Sequence, residues 1–433
     1  MLKIANFEPM NYLEISPAKQ LNGRVVLPAS KSISNRALLI NALGGNTTLP
    51  KNLSNSDDTQ VMLRALQAVS SLKGGKGVFD IGAAGTAMRF MTAYLSVTPG
   101  EHVITGTERM KHRPIGILVN ALRTLGADVE YVGEEGFPPL RITGKELAGG
   151  KLSLPADVSS QYISALLMIG PVLRNGLTLN LEGNIASRPY LDMTISVMRD
   201  FGAKVEWQGD NVIEVLPGAY MQRAYAIESD WSAASYWYEM VALSQDADAE
   251  VDLVGLHHDS IQGDSRVWRW MSELGVETQF YVEPDGTDIV RLRKGGTVTS
   301  YFSCDFTHQP DLAQTIAVTC AMMDVPFHLC GLQSLRIKET DRIAALMKEL
   351  GKMVDVEVEE DELHWDGSIT EKQDSAYLIF DTYEDHRMAM AFAPVCLRMG
   401  RKVRINNPQV VSKSYPAFWD DLEKVGFRIC KEQ

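Results

Sequence analysis

No cysteine precedes Cys304 in this 433-residue chain, and the five present (Cys304, Cys320, Cys330, Cys396 and Cys430) form no C-x-x-C pair. That usage argues against a disulfide scaffold and a cysteine zinc site; it suits a reducing compartment, so a cytoplasmic location is expected. Long hydrophobic runs are missing as well. The longest, Ile163 to Leu173, falls well short of the roughly 20 residues a membrane span needs. The opening MLKIANFEPM lacks the basic-then-apolar form of a secretory signal. Positive charge is in deficit, with a net charge of −13, against the broadly basic footprint of a nucleic-acid binder. Neither a membrane nor nucleic acid is an expected partner. There is no G-x-x-x-x-G-K-[ST], since GGKG at Gly74–Gly77 lacks the flanking residues, and there is no G-x-G-x-x-G. H-E-x-x-H is absent, and the adjacent His257 and His258 lack ligand spacing for one metal. No metal and no cofactor is expected.

What the chain does contain is repetition. A helical pattern ending in Leu-Gly or its equivalent, followed by a short alternating run, recurs at a near-constant interval in LRTLGADVEY, MRDFGAKVEW, MSELGVETQF, MKELGKMVDV and LEKVGFRI. Their glycines (Gly126, Gly202, Gly275, Gly351 and Gly426) suit a left-handed position that stops a helix. The alternation after them, as in Val129 and Tyr131, reads as a half-buried strand. A sixth copy from Asp57 to Gly74–Gly75 lies closer to its successor, so the first unit is expected to have lost about one strand pair. Between these sit a second class of helix, rich in small and apolar residues, starting at SKSISNRALL, AAGTAMRFM, SSQYISALLM, SDWSAASYWY, HQPDLAQTIA and EDHRMAMAF. A chain of this length exceeds one core. Three units in each of two domains divide it near Tyr225–Asp230, giving a first domain over residues 23–226 and a second over 1–22 plus 227–433.

The turns into the second helix class differ in chemistry while the helices behind them do not. A solenoid repeated only for stacking would not need that difference. The stretch LPASKSISNRALL leads from the run Val25–Leu27 through Pro28 into a helix, and places Lys31, Ser32, Ser34, Asn35 and Arg36 at its start. Backbone N–H groups, hydroxyls and cations there make an anion site, although a plain serine-capped helix would read alike. Further turns supply Gly85, Thr86 and Arg89; Arg109, Lys111 and Arg113, ahead of a Pro114 that can open a helix; and Ser159, Ser160 and Gln161. Ser187, Arg188 and Tyr190 follow, then Asp311, then Lys338, Glu339 and Arg342, then Asp385, His386, Arg387 and Lys413. So many cations on the turns of an acidic protein imply a ligand with several anionic groups, matched by arginine forks and lysine point charges. In KETDR, Lys338 and Arg342 stand at i, i+4, on one face if the segment is helical, with Glu339 adjacent. Asp311, directly after Pro310, is either a partner for a helix N-terminus or a general base.

Taken together, LPASKSISNRALL, AGTAMR, RMKHRPIG, VSSQYISALLM, SRPYLDMT, PDLAQTIA, RIKETDR, EDHRMAM and SKSYP resemble, in order from Leu27 to Pro416, the 5-enolpyruvylshikimate-3-phosphate synthase family (3-phosphoshikimate 1-carboxyvinyltransferase). The resemblance implies an α/β fold of two similar domains, each of three βαβαββ-type units in an inside-out α/β barrel, with the active site in the interdomain cleft. It implies transfer of the enolpyruvyl group of phosphoenolpyruvate to the 5-hydroxyl of shikimate 3-phosphate, with no cofactor, by a monomer. By the same resemblance Lys31, Ser32, Arg36, Ser159, Ser160, Gln161, Ser187, Tyr190, Asp311, Ser334 and Lys338 contact shikimate 3-phosphate. Lys31, Gly85, Arg109, Gln161, Arg342, Arg387 and Lys413 hold phosphoenolpyruvate. Asp311 takes the hydroxyl proton, and Glu339 with Lys31 handles the proton at the enolpyruvyl carbon.

Two positions depart from the family's pattern. Ala83 and Ser334 stand where asparagine is frequent, which bears on affinity more than on reaction type. The sibling UDP-N-acetylglucosamine enolpyruvyl transferase normally uses a cysteine in the first domain and a Lys-Asn pair at the first turn; this chain has neither, carrying Lys31-Ser32. A non-catalytic homologue would have little use for Lys31, Asp311 and Glu339 together.

Overall fold

The computed structural model describes residues 12–157, 159–369 and 377–432. Contacts divide the chain into two units, one of Ala29–Glu228 and the other of the N-terminal stretch through Pro28 joined to the chain from Ser229 on. Each unit is built from the two kinds of helix that the sequence distinguishes.

In the Ala29–Glu228 unit the small-residue helices are Lys31–Leu43, Gly85–Val97 and Ser160–Ile169. In the other unit they are Trp231–Leu243, Ala313–Met322 and His386–Phe392. These are buried on nearly every side, and Ala313–Met322 is buried at every position. Cross-helix bonds join their starts, Gln161 to Thr86 in one unit and Ser235 to Thr315 in the other. The amphipathic helices Asp57–Leu72, Gly116–Thr124, Arg188–Asp200, Val267–Ser272, Arg342–Leu350 and Phe418–Lys424 carry an apolar stripe on one side.

Five four-stranded sheets repeat one topology. In each, a parallel pair is extended by two antiparallel strands, as where Lys76–Asp80 runs parallel to Gly100–Thr105, which pairs with Leu140–Gly144 and then Asp128–Tyr131. The last sheet takes Tyr12–Ser16, from the start of the chain, between Val403–Asn406 and Arg428–Glu432.

The first repeat departs from expectation. Its two helices are present, but among the described residues the segment between them forms only an isolated bridge, Lys51 to Ala226. The loss is larger than one strand pair. Gly44-Gly45-Asn46 and Pro50 break any alternation that a strand would need. The strand before this repeat, Asn22–Val26, lies parallel to Glu250–Val254 in the other unit's sheet. Contacts accordingly place the first boundary at Pro28, later than residue 22, and the second at Glu228.

Gly126, Gly202, Gly275 and Gly426 adopt the left-handed conformation, with φ between 79° and 102°. Gly351 does not. Its φ is −59° because the helical turn continues past it, with the Val354 N–H bonded to the Leu350 carbonyl. Pro114 also falls outside the expected position, since its helix begins at Gly116.

Among the described residues no helix is long and apolar enough to cross a membrane. The helix Trp231–Leu243 carries one polar anomaly. Glu239 is fully buried, and among the described residues neither carboxylate oxygen has a hydrogen-bond partner. Burial pushes its carboxyl well above the ordinary 4.5, so the native state holds the proton that the unfolded chain releases. Stability linked to this group is present below the unfolded value and is lost as pH rises through the folded one. Glu239→Gln is therefore expected to leave the thermal midpoint unchanged near pH 4 and to raise it at pH 8. Each kcal/mol relieved corresponds to about 2 °C in a chain of this size. Calorimetry of the two proteins at both pH values checks this, and a gain confined to pH 4 would contradict it.

Candidate active site

Two groups of polar side chains gather around the starts of the small-residue helices, called inner helices below, one group in each unit. In the Ala29–Glu228 unit, Ser30 caps the helix Lys31–Leu43 by accepting from the Ile33 N–H, so Lys31 occupies the first turn. The Lys31 ammonium lies 3.3 Å from a carboxylate oxygen of Asp58. One helical turn on, Arg36 is buried. It donates from Nε to the Thr194 hydroxyl (2.7 Å) and from Nη2 to the Ser164 hydroxyl (3.2 Å) and the Tyr190 carbonyl (3.3 Å). Its Nη1 donates to the carbonyl of Ser32 (3.0 Å), and the Phe90 ring lies 5.5 Å from the guanidinium. Burial lowers its pKa to about 10, which leaves it charged. Every recorded acceptor is neutral, and among the described residues Arg36 forms no ion pair. A buried cation without a counter-charge is costly, by several kcal/mol, and an anionic ligand would relieve that cost.

Gly85 opens the next inner helix. A Cβ there would come within 2.6 Å of Arg113 Nη1 and 2.8 Å of Arg89 Nη1, so two guanidinium groups close on this backbone and a side chain would displace them. Arg89 also donates to the Gly85 and Pro114 carbonyls. Arg109, expected in the phosphoenolpyruvate set, instead lies exposed on the one-turn helix Glu108–Lys111. Arg113, from the same RMKHRP run, is the arginine that lies beside Gly85, and spacing alone does not choose between the two.

Ser159 caps the third inner helix by accepting from the Gln161 N–H, with Ser160 next. Val158, first in that motif, lies outside the described residues. The Gln161 side-chain amide donates to the Thr86 hydroxyl at 3.0 Å, which ties this turn to the Gly85 turn. Ser187 is buried in the left-handed conformation, φ 56°, immediately before Arg188 and Tyr190.

The second group centres on Asp311, in the short 3₁₀ turn Pro310–Leu312. Its Oδ1 lies 3.0 Å from Arg342 Nη1 and 3.4 Å from Lys338 Nζ, and its Oδ2 accepts from Arg387 Nη2 at 2.8 Å. Burial alone would raise the carboxyl's pKa, but Arg387, Lys338 and Arg342 outweigh it and hold Asp311 well below the ordinary 3.8. Glu339 stands beside it, 3.0 Å from Arg342 Nη2 and 3.1 Å from Lys413 Nζ. Arg342 is the hub. With its side chain 2% exposed it joins Asp311, Glu339 and the fully buried Asp385, which lies 2.7 Å from its Nε.

The expected i, i+4 face of KETDR does not form. Asp341 caps the helix Arg342–Leu350 by accepting from the Ala344 N–H, so Lys338 and Glu339 lie ahead of the helix, not on it. Lys338 and Arg342 still meet on one carboxylate because the loop folds back over Asp311. Ser334 is half-buried in the 3₁₀ turn Gln333–Ile337.

Sequence reasoning missed Tyr236, whose hydroxyl accepts from Arg387 Nη1 at 3.3 Å, and Asp264, which receives a short hydrogen bond from the Ser232 hydroxyl. Burial, and then the charge of Asp311, push Asp264 up to about 6. Tyr236 sits in an apolar helix with no cation nearby in sequence, and Asp264 in a glycine-containing turn whose Arg266 reads as an ordinary solvated charge. Among the described residues no group of three or more His, Cys, Asp or Glu side chains is placed to hold a metal ion.

A family model described as EPSP synthase (3-phosphoshikimate 1-carboxyvinyltransferase) matches residues 15–422. A 3-phosphoshikimate 1-carboxyvinyltransferase of Bacteroides fragilis is 55% identical over 422 residues, covering 97% of this chain and 99% of its own length. One from Photobacterium profundum is 38% identical over 438 residues, covering 96% of this chain and 99% of its own. The solved EPSP synthase from Acinetobacter baumannii shares the fold, with a TM-score of 0.77 at 23% identity over 97% of this chain and 100% of that one.

Proposed function

The chain belongs to the EPSP synthase family of transferases, and we propose that it moves the enolpyruvyl group of phosphoenolpyruvate to the 5-hydroxyl of shikimate 3-phosphate, releasing phosphate. The observation that carries this reading is Asp311. It is a carboxylate held ionised by three cations, with a second carboxylate, Glu339, sharing one of them.

Each of the two substrates presents one phosphate and one carboxylate, anions that guanidinium forks, ammonium groups and hydroxyls at these turns match. Lys31, Ser32, Arg36, Ser159, Ser160, Gln161, Ser187, Tyr190, Asp311, Ser334 and Lys338 serve shikimate 3-phosphate. Lys31, Gly85, Arg113 and Gln161, with Arg342, Arg387 and Lys413, serve phosphoenolpyruvate; Arg113 takes the part first given to Arg109. In the addition step Asp311 accepts the 5-hydroxyl proton as the oxygen bonds to C2 of phosphoenolpyruvate, and the methylene carbon gains a proton from Lys31 or Glu339. In the elimination step that carbon returns a proton to the same pair, the double bond reforms, and the C–O bond to phosphate breaks. The surrounding cations stabilise charge on the departing phosphate. Phosphoenolpyruvate competes for the forks of Arg342 and Arg387, and each fork it takes weakens their hold on Asp311 and makes that carboxylate a better base.

The same proposal makes the protein a cytoplasmic monomer with small-molecule substrates and neither a nucleic-acid nor a membrane partner. Its net charge of −13 and five free cysteines support that reading. Phosphate release measured with both substrates, with each omitted, and with UDP-N-acetylglucosamine as acceptor tests the activity. Release is expected only when shikimate 3-phosphate and phosphoenolpyruvate are both present; release with the nucleotide sugar would overturn the assignment.

A further inference from the structure

Tyr383 and Glu384 are consecutive residues in the left-handed region, with φ of 52° and 58°, directly before the cap Asp385 and the helix His386–Phe392 that carries Arg387. Residues other than glycine seldom adopt this conformation, and two in succession persist only where the surroundings over-determine the backbone. The constraint comes from Glu349, on the last turn of the helix Arg342–Leu350. Its side chain is fully buried, although it is a carboxylate outside the catalytic group. Oε1 accepts from the Tyr383 hydroxyl at 2.5 Å, and Oε2 accepts from the Asp381 N–H at 3.1 Å and from Lys352 Nζ at 2.5 Å. Lys348 lies 5.5 Å over the Tyr383 ring. Asp385 then accepts from Arg342 Nε at 2.7 Å and from the Arg387 N–H at 2.9 Å. The helix that begins with one arginine thus holds the turn that presents the other at two points, Tyr383 through Glu349 at its end and Asp385 through Arg342 at its start.

We propose that Glu349, acting through the Tyr383 hydroxyl, is a positioning residue that sets the distance between the Arg342 and Arg387 forks. The inference rests on the reading that these forks hold phosphoenolpyruvate. Two guanidinium groups can match one small dianion only at a fixed separation, and a left-handed turn left to itself would relax toward the right-handed region and carry Arg387 with it. Burial and the adjacent Glu349 charge raise the Tyr383 pKa above its ordinary 10.0, so the hydroxyl remains a donor throughout the neutral range.

Steady-state kinetics of the full chain test this with Tyr383→Phe, Tyr383→Phe combined with Glu384→Gly, and Arg387→Lys as reference. Tyr383→Phe is expected to raise KM for phosphoenolpyruvate on the order of tenfold. KM for shikimate 3-phosphate, kcat and the thermal midpoint should hardly move. Adding Glu384→Gly should return KM for phosphoenolpyruvate toward the parent value, because glycine takes the left-handed conformation without strain. An unchanged KM in Tyr383→Phe, with Arg387→Lys raised, would overturn the positioning role. So would equal rises in both KM values that glycine does not reverse, since that is general loosening. An Arg387→Lys protein with the parent KM for phosphoenolpyruvate would instead remove the underlying assignment of the forks, and this inference with it.

Discussion

Asp311→Asn is expected to lower kcat by about 10²–10⁴-fold, the range for loss of a positioned general base, while KM for phosphoenolpyruvate stays level or falls. Asparagine keeps the shape of the side chain and removes its ability to take a proton. It also removes a competitor. Arg342 and Arg387 each give a guanidinium nitrogen to Asp311, at 3.0 and 2.8 Å, and both become more available to a bound anion when that charge is gone. The fold should survive, since Arg342 retains Glu339 and Asp385 as partners. The acid limb of stability should shift in a defined direction. Asp311 is held below its ordinary value, so its stabilising contribution is present above the unfolded carboxylate pKa and is lost as pH falls through the folded value. The variant lacks that contribution and should lose less stability on acidification. Single-turnover kinetics together with a pH series of thermal midpoints would check both halves. A parent-like kcat would remove Asp311 from the base role.

Arg342→Ala is expected to cost the most in stability and the second most in turnover. Its side chain, 2% exposed, neutralises three carboxylates, and one of them, Asp385, has no exposed side-chain surface. Burial disfavours the charge on Arg342, but Asp385, Glu339 and Asp311 outweigh it and raise its pKa above the ordinary arginine value. Removing one member of such a cluster leaves uncompensated buried charge, a loss of about 3–5 kcal/mol. Arg342→Lys should recover part of the stability by restoring a charge. It should recover little turnover, because an ammonium cannot span Asp311, Glu339 and Asp385 as a planar fork does. Denaturant titration and KM for phosphoenolpyruvate, measured on both variants, separate the two effects. Equal stability of the alanine variant and the parent would show that the cluster is better hydrated than its burial implies.

The repeat was legible in the sequence because its signals are local. Helical periodicity, a stop glycine and alternation lie within a few turns of one another, and the same spacing recurs with Gly126, Gly202, Gly275 and Gly426. The strand loss of the first repeat exceeds the expectation because a shortened interval says how much chain is missing, and not that Asn22–Val26 pairs with Glu250–Val254 outside the Ala29–Glu228 unit. Gly351 misled for a related reason, since whether a helix stops at its glycine depends on what the next turn packs against.

Within the candidate site, charge type and turn position pointed to Lys31, Asp311, Lys338, Glu339, Arg342, Arg387 and Lys413. The contacts among them were hidden. Asp311 and Arg387 are 76 residues apart in the chain and 2.8 Å apart in space. Arg36 and Thr194 are separated by 158 residues and joined at 2.7 Å. Nor did composition distinguish Arg113 from Arg109, since both are cations of one basic run and only the packing around Gly85 separates them. By itself the sequence determined how many units there are, which helices are buried, and where cations meet hydroxyls at helix starts, because backbone preference and side-chain charge act over a few residues. Only the tertiary structure decided which carboxylate each cation serves and which arginine is sheltered, because charge pairing inside a protein depends on distance and burial, and both are set by how remote helices pack.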